Sequence, residues 1–282
     1  MKKNMLKKLL VGTLALTTLT VSALTGCGGN SDSDSSGSSN DSSSAGSTTF
    51  TVGFDAEYPP YGYMDDNGEY TGFDLELAQE VCKLNGWELV KQPISWDNKD
   101  NELNTGAISC IWNGFTVNGR EDDYTWSDPY VDNSQVVVTA KDSGISKPAD
   151  LKDKTVGVQA ASAALDLLQS EEEGGQKALA DTFKGIQEFA DYNTAFVELE
   201  AGSIDAIAMD IGVAQYQIEN RGNGKYVILD EHLNSEKYAI GFKLGNEELR
   251  DKVNKSLHDL KDNGTFDELA KKYNLSDMTC LE

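Results

Sequence analysis

Along residues 50 to 282 the apolar positions change period repeatedly, and each change marks an element. Phe50-Thr51-Val52-Gly53-Phe54 reads as a strand. From 73 to 84 a helix is predicted, with Ala78, Val81, Cys82 and then Asn85 recurring at one-turn spacing on one face. Segments 107–112 and 135–140 read as strands; 155–158 is a strand feeding a helix over 163–168, and 204–209 one feeding a helix over 211–219. Strands alternating with helices predict a parallel or mixed sheet covered on both faces. The end is helical: Leu249, Val253, Leu257 and Leu260 form a stripe, and Asn263-Gly264 stops it. Thr265 with Glu268 then predicts a capping box opening a last helix. No internal repeat is visible.

The first 49 residues follow another pattern. Lys2, Lys3, Lys7 and Lys8, with no acid, precede an apolar stretch over 9–24 interrupted by threonines, which reads as a secretory signal over 1–26. The run is shorter and more polar than the roughly 20 apolar residues that cross a bilayer. Leu24-Thr25-Gly26-Cys27 resembles the bacterial lipobox, where the signal is cut before the cysteine and the thiol is joined to a diacylglycerol. An ordinary cysteine beside a cleavage site is the alternative. The resemblance implies lipidation of Cys27, with palmitate among the acyl groups, and two chains anchor stably where one is marginal. Residues 28–49 are almost entirely Ser, Gly, Asp, Asn and Thr, too poor in apolar surface to fold, so 27–49 is expected to be a lipidated, disordered tether.

Charge narrows the partners. The 282 residues carry 24 Lys and Arg against 47 Asp and Glu, a formal net charge of -23; without signal and tether, 50–282 retains 20 basic and 44 acidic residues. That sign argues against nucleic acid and acidic lipid headgroups. His232 and His258 lie far apart, and no metal-ligand spacing, nucleophile–base pair or phosphate loop is visible, so no metal or cofactor is expected. With 39% hydrophobic and 25% charged residues the chain is not disordered throughout, and a folded part of this length suits one large domain or two lobes. Besides Cys27 there are Cys82, Cys110 and Cys280. One disulfide and one free thiol are permitted outside the cell, but the pairing is open, and Cys82 on an apolar helix face reads as core. Fourteen of the 24 aromatic residues lie between Phe50 and Tyr130. Phe54 and Phe73 read as core; Tyr58, Tyr61 and Trp96, beside turn-forming or polar residues, are candidates for a binding surface.

An ordered set of motifs then carries a likeness. Val52-Gly53-Phe54-Asp55-Ala56-Glu57-Tyr58-Pro59-Pro60-Tyr61 is followed by Gly72-Phe73-Asp74, Asn113-Gly114-Phe115-Thr116 and Ser127-Asp128-Pro129-Tyr130. Lys154-Thr155-Val156-Gly157-Val158-Gln159, Ile204-Asp205-Ala206-Ile207-Ala208-Met209-Asp210, Tyr238-Ala239-Ile240-Gly241-Phe242 and Asn263-Gly264-Thr265-Phe266 complete it. The set resembles the polar amino-acid binding proteins of ABC importers, bacterial extracellular solute-binding proteins of family 3. The resemblance implies a two-lobed periplasmic-binding-protein-like fold of type II, each lobe a mixed α/β sheet flanked by helices, joined by a two-strand hinge. Lobe 1 would be 50–129 and 239–282, lobe 2 135–233, and the crossings 130–134 and 234–238. Closure of such a cleft on a zwitterion removes both charges from water, and each then needs a partner.

Only three arginines occur, Arg120, Arg221 and Arg250, against 21 lysines. The resemblance implies that Arg120 grips the ligand α-carboxylate, to which a guanidinium can give two parallel hydrogen bonds. Alternatively Arg120 neutralises Glu121, Asp122 and Asp123. The stretch Thr116-Val117-Asn118-Gly119-Arg120 is one residue shorter than the family's usual spacing. Thr116 would add a donor, and the Gly114 carbonyl could accept from the α-ammonium. In lobe 2, Gln159-Ala160-Ala161-Ser162-Ala163 leads into a helix start suited to a carboxylate. Ser162 is equally an N-cap, and Ala161 stands where the family commonly has glycine. The family uses Asp210 for the α-ammonium, though its place before a helix also fits an N-cap. Asp55 is the lobe 1 counterpart or a turn residue; Asp74 complements a helix dipole or turns toward the ligand. Tyr58, Tyr61 and Trp96 would wall the side-chain pocket, with Glu57, Asp74 and Asn113 favouring several polar ligands.

The expected function is capture of a free polar L-amino acid by a monomeric, lipid-anchored receptor on the outer face of a Gram-positive-like plasma membrane, with delivery to an ABC permease and no catalysis. One alternative is an enzyme on the same fold, such as a cyclohexadienyl dehydratase. The other is a non-transporting amino-acid sensor, for which a membrane span and signalling domain would be expected to follow.

Overall fold

Two five-stranded mixed sheets carry the fold of the computed structural model, which describes residues 48–222 and 224–282. The expected signal over 1–26, Cys27 and the tether through residue 47 lie outside the described residues.

The first sheet runs in the order Glu88–Pro93, Thr49–Phe54, Cys110–Ile111, Gly241–Phe242, Thr125–Trp126. Its first three strands are parallel and the last two pair antiparallel. The second sheet repeats the plan with Gly185–Phe189, Thr155–Gln159, Ala206–Asp210, Gln135–Ala140 and Tyr226–Ile228, again three parallel strands followed by antiparallel pairing. Helix Phe73–Asn85 links the first two parallel strands of the first sheet, and helix Tyr192–Ala201 joins Gly185–Phe189 to Ala206–Asp210. Between the sheets, Val131–Asn133 pairs antiparallel with Glu236–Tyr238, setting Asn133 opposite Glu236 and Val131 opposite Tyr238. These two strands take the chain from the first sheet to the second and back. The α/β class with mixed sheets and flanking helices is the one expected.

The elements follow from where apolar surface can be hidden. Helix Phe73–Asn85 buries Phe73, Leu75, Leu77, Ala78, Val81 and Cys82. Helix Glu247–Asp262 buries Val253, Leu257 and Leu260 of the predicted stripe, while Leu249 is partly buried. Strand Ala206–Asp210 is buried at every position, as a central strand covered on both faces must be.

Several boundaries differ from expectation. The strand expected over 107–112 shrinks to Cys110–Ile111, because the N–H groups of Ala107 and Ile108 turn back to the Glu102 carbonyl and close the helix Lys99–Thr105. The strand expected over 204–209 is Ala206–Asp210, and the first strand begins at Thr49, inside the expected tether. The capping box is absent: Thr265 is the first residue of helix Thr265–Lys272, and left-handed Gly264 occupies the cap. The cap bond comes instead from Asn263, whose side-chain oxygen accepts from the Thr265 N–H at 2.9 Å. Cys82, Cys110 and Cys280 are all free thiols, the first two buried.

Candidate functional site

The C-terminal ends of parallel strands are where open α/β sheets leave a crevice, because adjacent connections depart to opposite faces there. Asp55 follows Thr49–Phe54, Asn113 and Gly114 follow Cys110–Ile111, and Gln159 and Asp210 end their own strands. A small cavity, with room for about one water molecule, lies between the lobes, lined by Tyr58, Trp96, Gly114, Phe115, Thr116 and Arg120 from the first and by Gln159, Ser162, Ala163 and Asp210 from the second.

Arg120 reaches this cavity despite the shortened loop. Its N–H donates to the Val117 carbonyl at 2.9 Å with Gly119 at φ 78, so residues 117–120 form a tight turn. Trp126 Nε1 donates to the Arg120 carbonyl at 3.1 Å and fixes the turn against the sheet. The guanidinium stacks 5.3 Å from the Phe115 ring and donates to Asp166 Oδ2 at 2.5 Å across the cleft. The acids that follow it in sequence do not pair with the guanidinium; Asp123 meets Arg120 through its N–H, which donates to the Arg120 carbonyl at 3.1 Å.

Asp210 sits at the cap position of helix Ile211–Arg221 but makes no side-chain cap bond. Its Oδ1 accepts from Asn133 Nδ2 and Gln135 Nε2, both at 2.7 Å, and from the Tyr238 hydroxyl at 2.6 Å. Asp55 combines two roles. Oδ1 takes the Glu57 N–H in a turn at 2.8 Å, and Oδ2 accepts from Gln159 Nε2 of the opposite lobe at 2.6 Å. Burial pushes its carboxyl up to about 6 despite those donors.

Gly114 is required on two counts. At φ 56 it is left-handed, and a Cβ there would lie 2.9 Å from the Tyr238 ring and 3.1 Å from Tyr58. The Thr116 hydroxyl donates to Glu236 Oε1 at 2.8 Å and is therefore engaged within the protein. Ser162 caps helix Ala163–Gln169 by accepting from the Leu165 N–H at 3.2 Å. Ala161 adopts φ 54, the left-handed conformation that glycine would take without strain.

Asp55 and Ala161 are not on the cavity wall, and three further sequence-derived candidates also lie off it. Asp74 is fully buried at the start of its helix, with Oδ2 accepting from the Gly114 N–H at 2.6 Å and Oδ1 from the Tyr130 hydroxyl at 2.9 Å. It shapes the loop that lines the cavity, and burial raises its carboxyl to about 7. Tyr61 packs across the lobe boundary, its hydroxyl so near Gly212 that a Cβ there would lie 2.5 Å away. Asn113 is buried with both amide atoms unpartnered and its oxygen against Gly62.

Sequence reasoning missed Lys99, Glu236, Asn133 and Gln135. Lys99 is 4% exposed; its ammonium lies 3.3 Å from the Ala161 carbonyl and 5.2 Å from the Trp96 ring centre. Burial, then the Arg120 charge, lowers its pKa. Nothing in Asp97-Asn98-Lys99-Asp100 signals a buried cation. Glu236 stands in the expected crossing segment, and the strand register that sets it opposite Asn133 is visible only in the fold.

Two lobes, a cleft at the strand ends and opposite charges across it define a ligand-binding rather than a scaffolding protein. The model of the bacterial extracellular solute-binding proteins, family 3, matches residues 50–276, and the chain belongs to that family. It is 29% identical over 234 residues to the L-cystine-binding protein TcyJ of Escherichia coli, covering 82% of this chain and 84% of that one. With the arginine-binding extracellular protein ArtP of Bacillus subtilis the identity is 32% over 254 residues, 89% and 92% of the two chains. Among solved structures, an ABC uptake transporter substrate-binding protein from Streptococcus pneumoniae with bound histidine superposes with a TM-score of 0.78 at 32% identity, covering 83% and 95%. The type II periplasmic-binding-protein-like fold is thereby shown.

Proposed function

We propose that the protein is a lipid-anchored receptor outside a bacterial cell that closes on a free polar L-amino acid and passes it to an ABC permease, without chemistry of its own. The observation that carries this reading is the pairing of Arg120 from one lobe with Asp210 from the other on a single cavity. A guanidinium suits the α-carboxylate and a buried carboxylate the α-ammonium, while Tyr58, Trp96 and Phe115 supply flat walls for a side chain. The first turn of helix Ala163–Gln169 offers further N–H groups to the carboxylate. Relatives named for cystine and arginine, and a similar solved structure with bound histidine, support a polar amino acid as the ligand. The lipobox at Cys27 and the polar tether favour anchoring on the outer membrane face of a Gram-positive-like cell. The crossing strands Val131–Asn133 and Glu236–Tyr238 serve as the hinge.

The test is a thermal melt of the protein with the twenty common amino acids and cystine, one at a time. A ligand at 100 times its dissociation constant stabilises by about 2.7 kcal/mol. A shift with at least one polar amino acid, abolished in Asp210→Asn, is the expected result. Silence across the panel, with turnover of a prephenate-like acid, would favour the enzyme reading instead.

A further inference from the structure

On the floor of the cleft two carboxylates compete for the same two side-chain amides, while Tyr238 donates to Asp210, and Thr116 and Asn234 to Glu236. Asn133 Nδ2 lies 2.7 Å from Asp210 Oδ1 and 2.7 Å from Glu236 Oε1, and Gln135 Nε2 lies 2.7 and 2.8 Å from the same two oxygens. Two carboxylates, each 4% exposed, therefore share one pair of amide nitrogens. The side-chain oxygens of Asn133 and Gln135 are buried and unpartnered. Turning either amide over would aim its oxygen at both acids, so the charges dictate the orientation. Among the described residues no lysine or arginine forms an ion pair with Asp210 or Glu236. Burial first, and the Asp210 charge second, push the Glu236 carboxyl above its ordinary 4.5.

The groups facing the pair do not neutralise it. Tyr58, Tyr61, Tyr192 and Tyr238 surround it from inside, all with phenols pushed far up by burial and hence uncharged. Arg120, across the cavity, is engaged by Asp166. On its outer side Glu236 borders a groove with Glu121 and Lys237, and Lys237 pairs with Asp132 at 3.5 Å. Like charges sharing a buried site resist ionising together without a counter-charge.

We propose that Glu236 is a second carboxylate behind the ammonium seat: it holds a proton while no ammonium is bound, and it loses that proton to the outer groove when the ligand's α-ammonium reaches Asp210. The pair carries one negative charge before binding; the two ionised acids with the ammonium also sum to one afterwards. Glu236 acts through Asn133 and Gln135 and does not touch the ligand, so it is a positioning residue. The inference rests on the assignment of Asp210 to the ammonium.

The experiment is titration calorimetry of the wild-type protein, Glu236→Gln and Thr116→Val in buffers of differing ionisation enthalpy, from about pH 4.5 to 8. The probe is the panel member that shifts the melt furthest, its own titration subtracted. Wild-type protein is expected to release up to one proton per ligand, and its affinity to fall about tenfold per pH unit below the titration of Glu236. Glu236→Gln is expected to release none and to show a flat profile. Thr116→Val, which removes a donor to the charged form, is expected to move the midpoint to higher pH. Binding by wild-type protein without proton release overturns the proposal alone. So does release that persists in Glu236→Gln, which would point to Asp55, or an unmoved midpoint in Thr116→Val. No binding to any member by wild-type protein overturns the receptor reading as well.

Discussion

Arg120 and Asp166 meet at 2.5 Å across the cleft, yet their side chains are 10% and 59% exposed. A pair with one partner that open to solvent contributes about 0.2–1 kcal/mol, whereas a buried guanidinium facing a ligand carboxylate has no substitute. Asp166→Ala is therefore expected to weaken ligand binding by less than about tenfold, and Arg120→Ala to abolish it, both read by calorimetry. Equal losses would make Arg120 half of an inter-lobe bridge rather than a ligand group. This contrast was partly legible in the sequence. Scarcity of arginine and the neighbouring Gly114-Phe115-Thr116 drew attention to Arg120, but Asp166, 46 positions away on a short helix, carried no mark. Asp74 shows the opposite limit. A carboxylate in a first helical turn looks the same whether it faces a ligand or a loop N–H, and only the fold turns it to Gly114.

Elements were legible where burial is one-sided or complete, and blurred where local hydrogen bonds compete. Helix Phe73–Asn85 and strand Gln135–Ala140 appear with nearly the expected bounds because their apolar pattern has no rival. At 107–112 the preceding helix captures two N–H groups and the ladder loses them. The last helix is a second case. Thr265 and Glu268 have capping-box spacing, but glycine just before them turns the chain so early that Asn263 supplies the cap. Asn263→Ala is accordingly expected to cost about 1 kcal/mol, lowering the melting temperature by about 2–4 °C for a protein of this size. Thr265→Ala is expected to be nearly neutral in the same calorimetric scan. The reverse order would reinstate the capping box.

At the scale of the molecule, charge and burial act on stability in the same direction. Residues 50–282 carry 44 acidic and 20 basic side chains, so self-repulsion grows as carboxylates ionise. Asp55 and Asp74 add a specific contribution, since burial raises them from 3.8 to about 6 and about 7. A carboxyl whose folded value exceeds its unfolded one binds its proton more tightly in the folded state. Its stabilisation is complete below the unfolded value and is lost as pH rises through the folded one, by about 1.4 kcal/mol for each unit of difference. Glu76 opposes this at the acid end. Despite partial burial, Lys272, Tyr273 and Thr71 hold its carboxyl below 4.5, so its contribution is lost as pH falls through that range. The unliganded protein is therefore expected to melt highest near pH 4, where Asp55 and Asp74 keep their protons and Glu76 is ionised, and progressively lower up to about pH 7. Asp74→Asn, which keeps an acceptor for Gly114 but does not ionise, should flatten the decline between about pH 5 and 7. Scanning calorimetry across that range checks both statements. A melting temperature that rises steadily from pH 5 to 8 would mean that Asp55 and Asp74 are charged in the folded protein at little cost, and that their donors, the Glu57 and Gly114 N–H groups above all, outweigh burial.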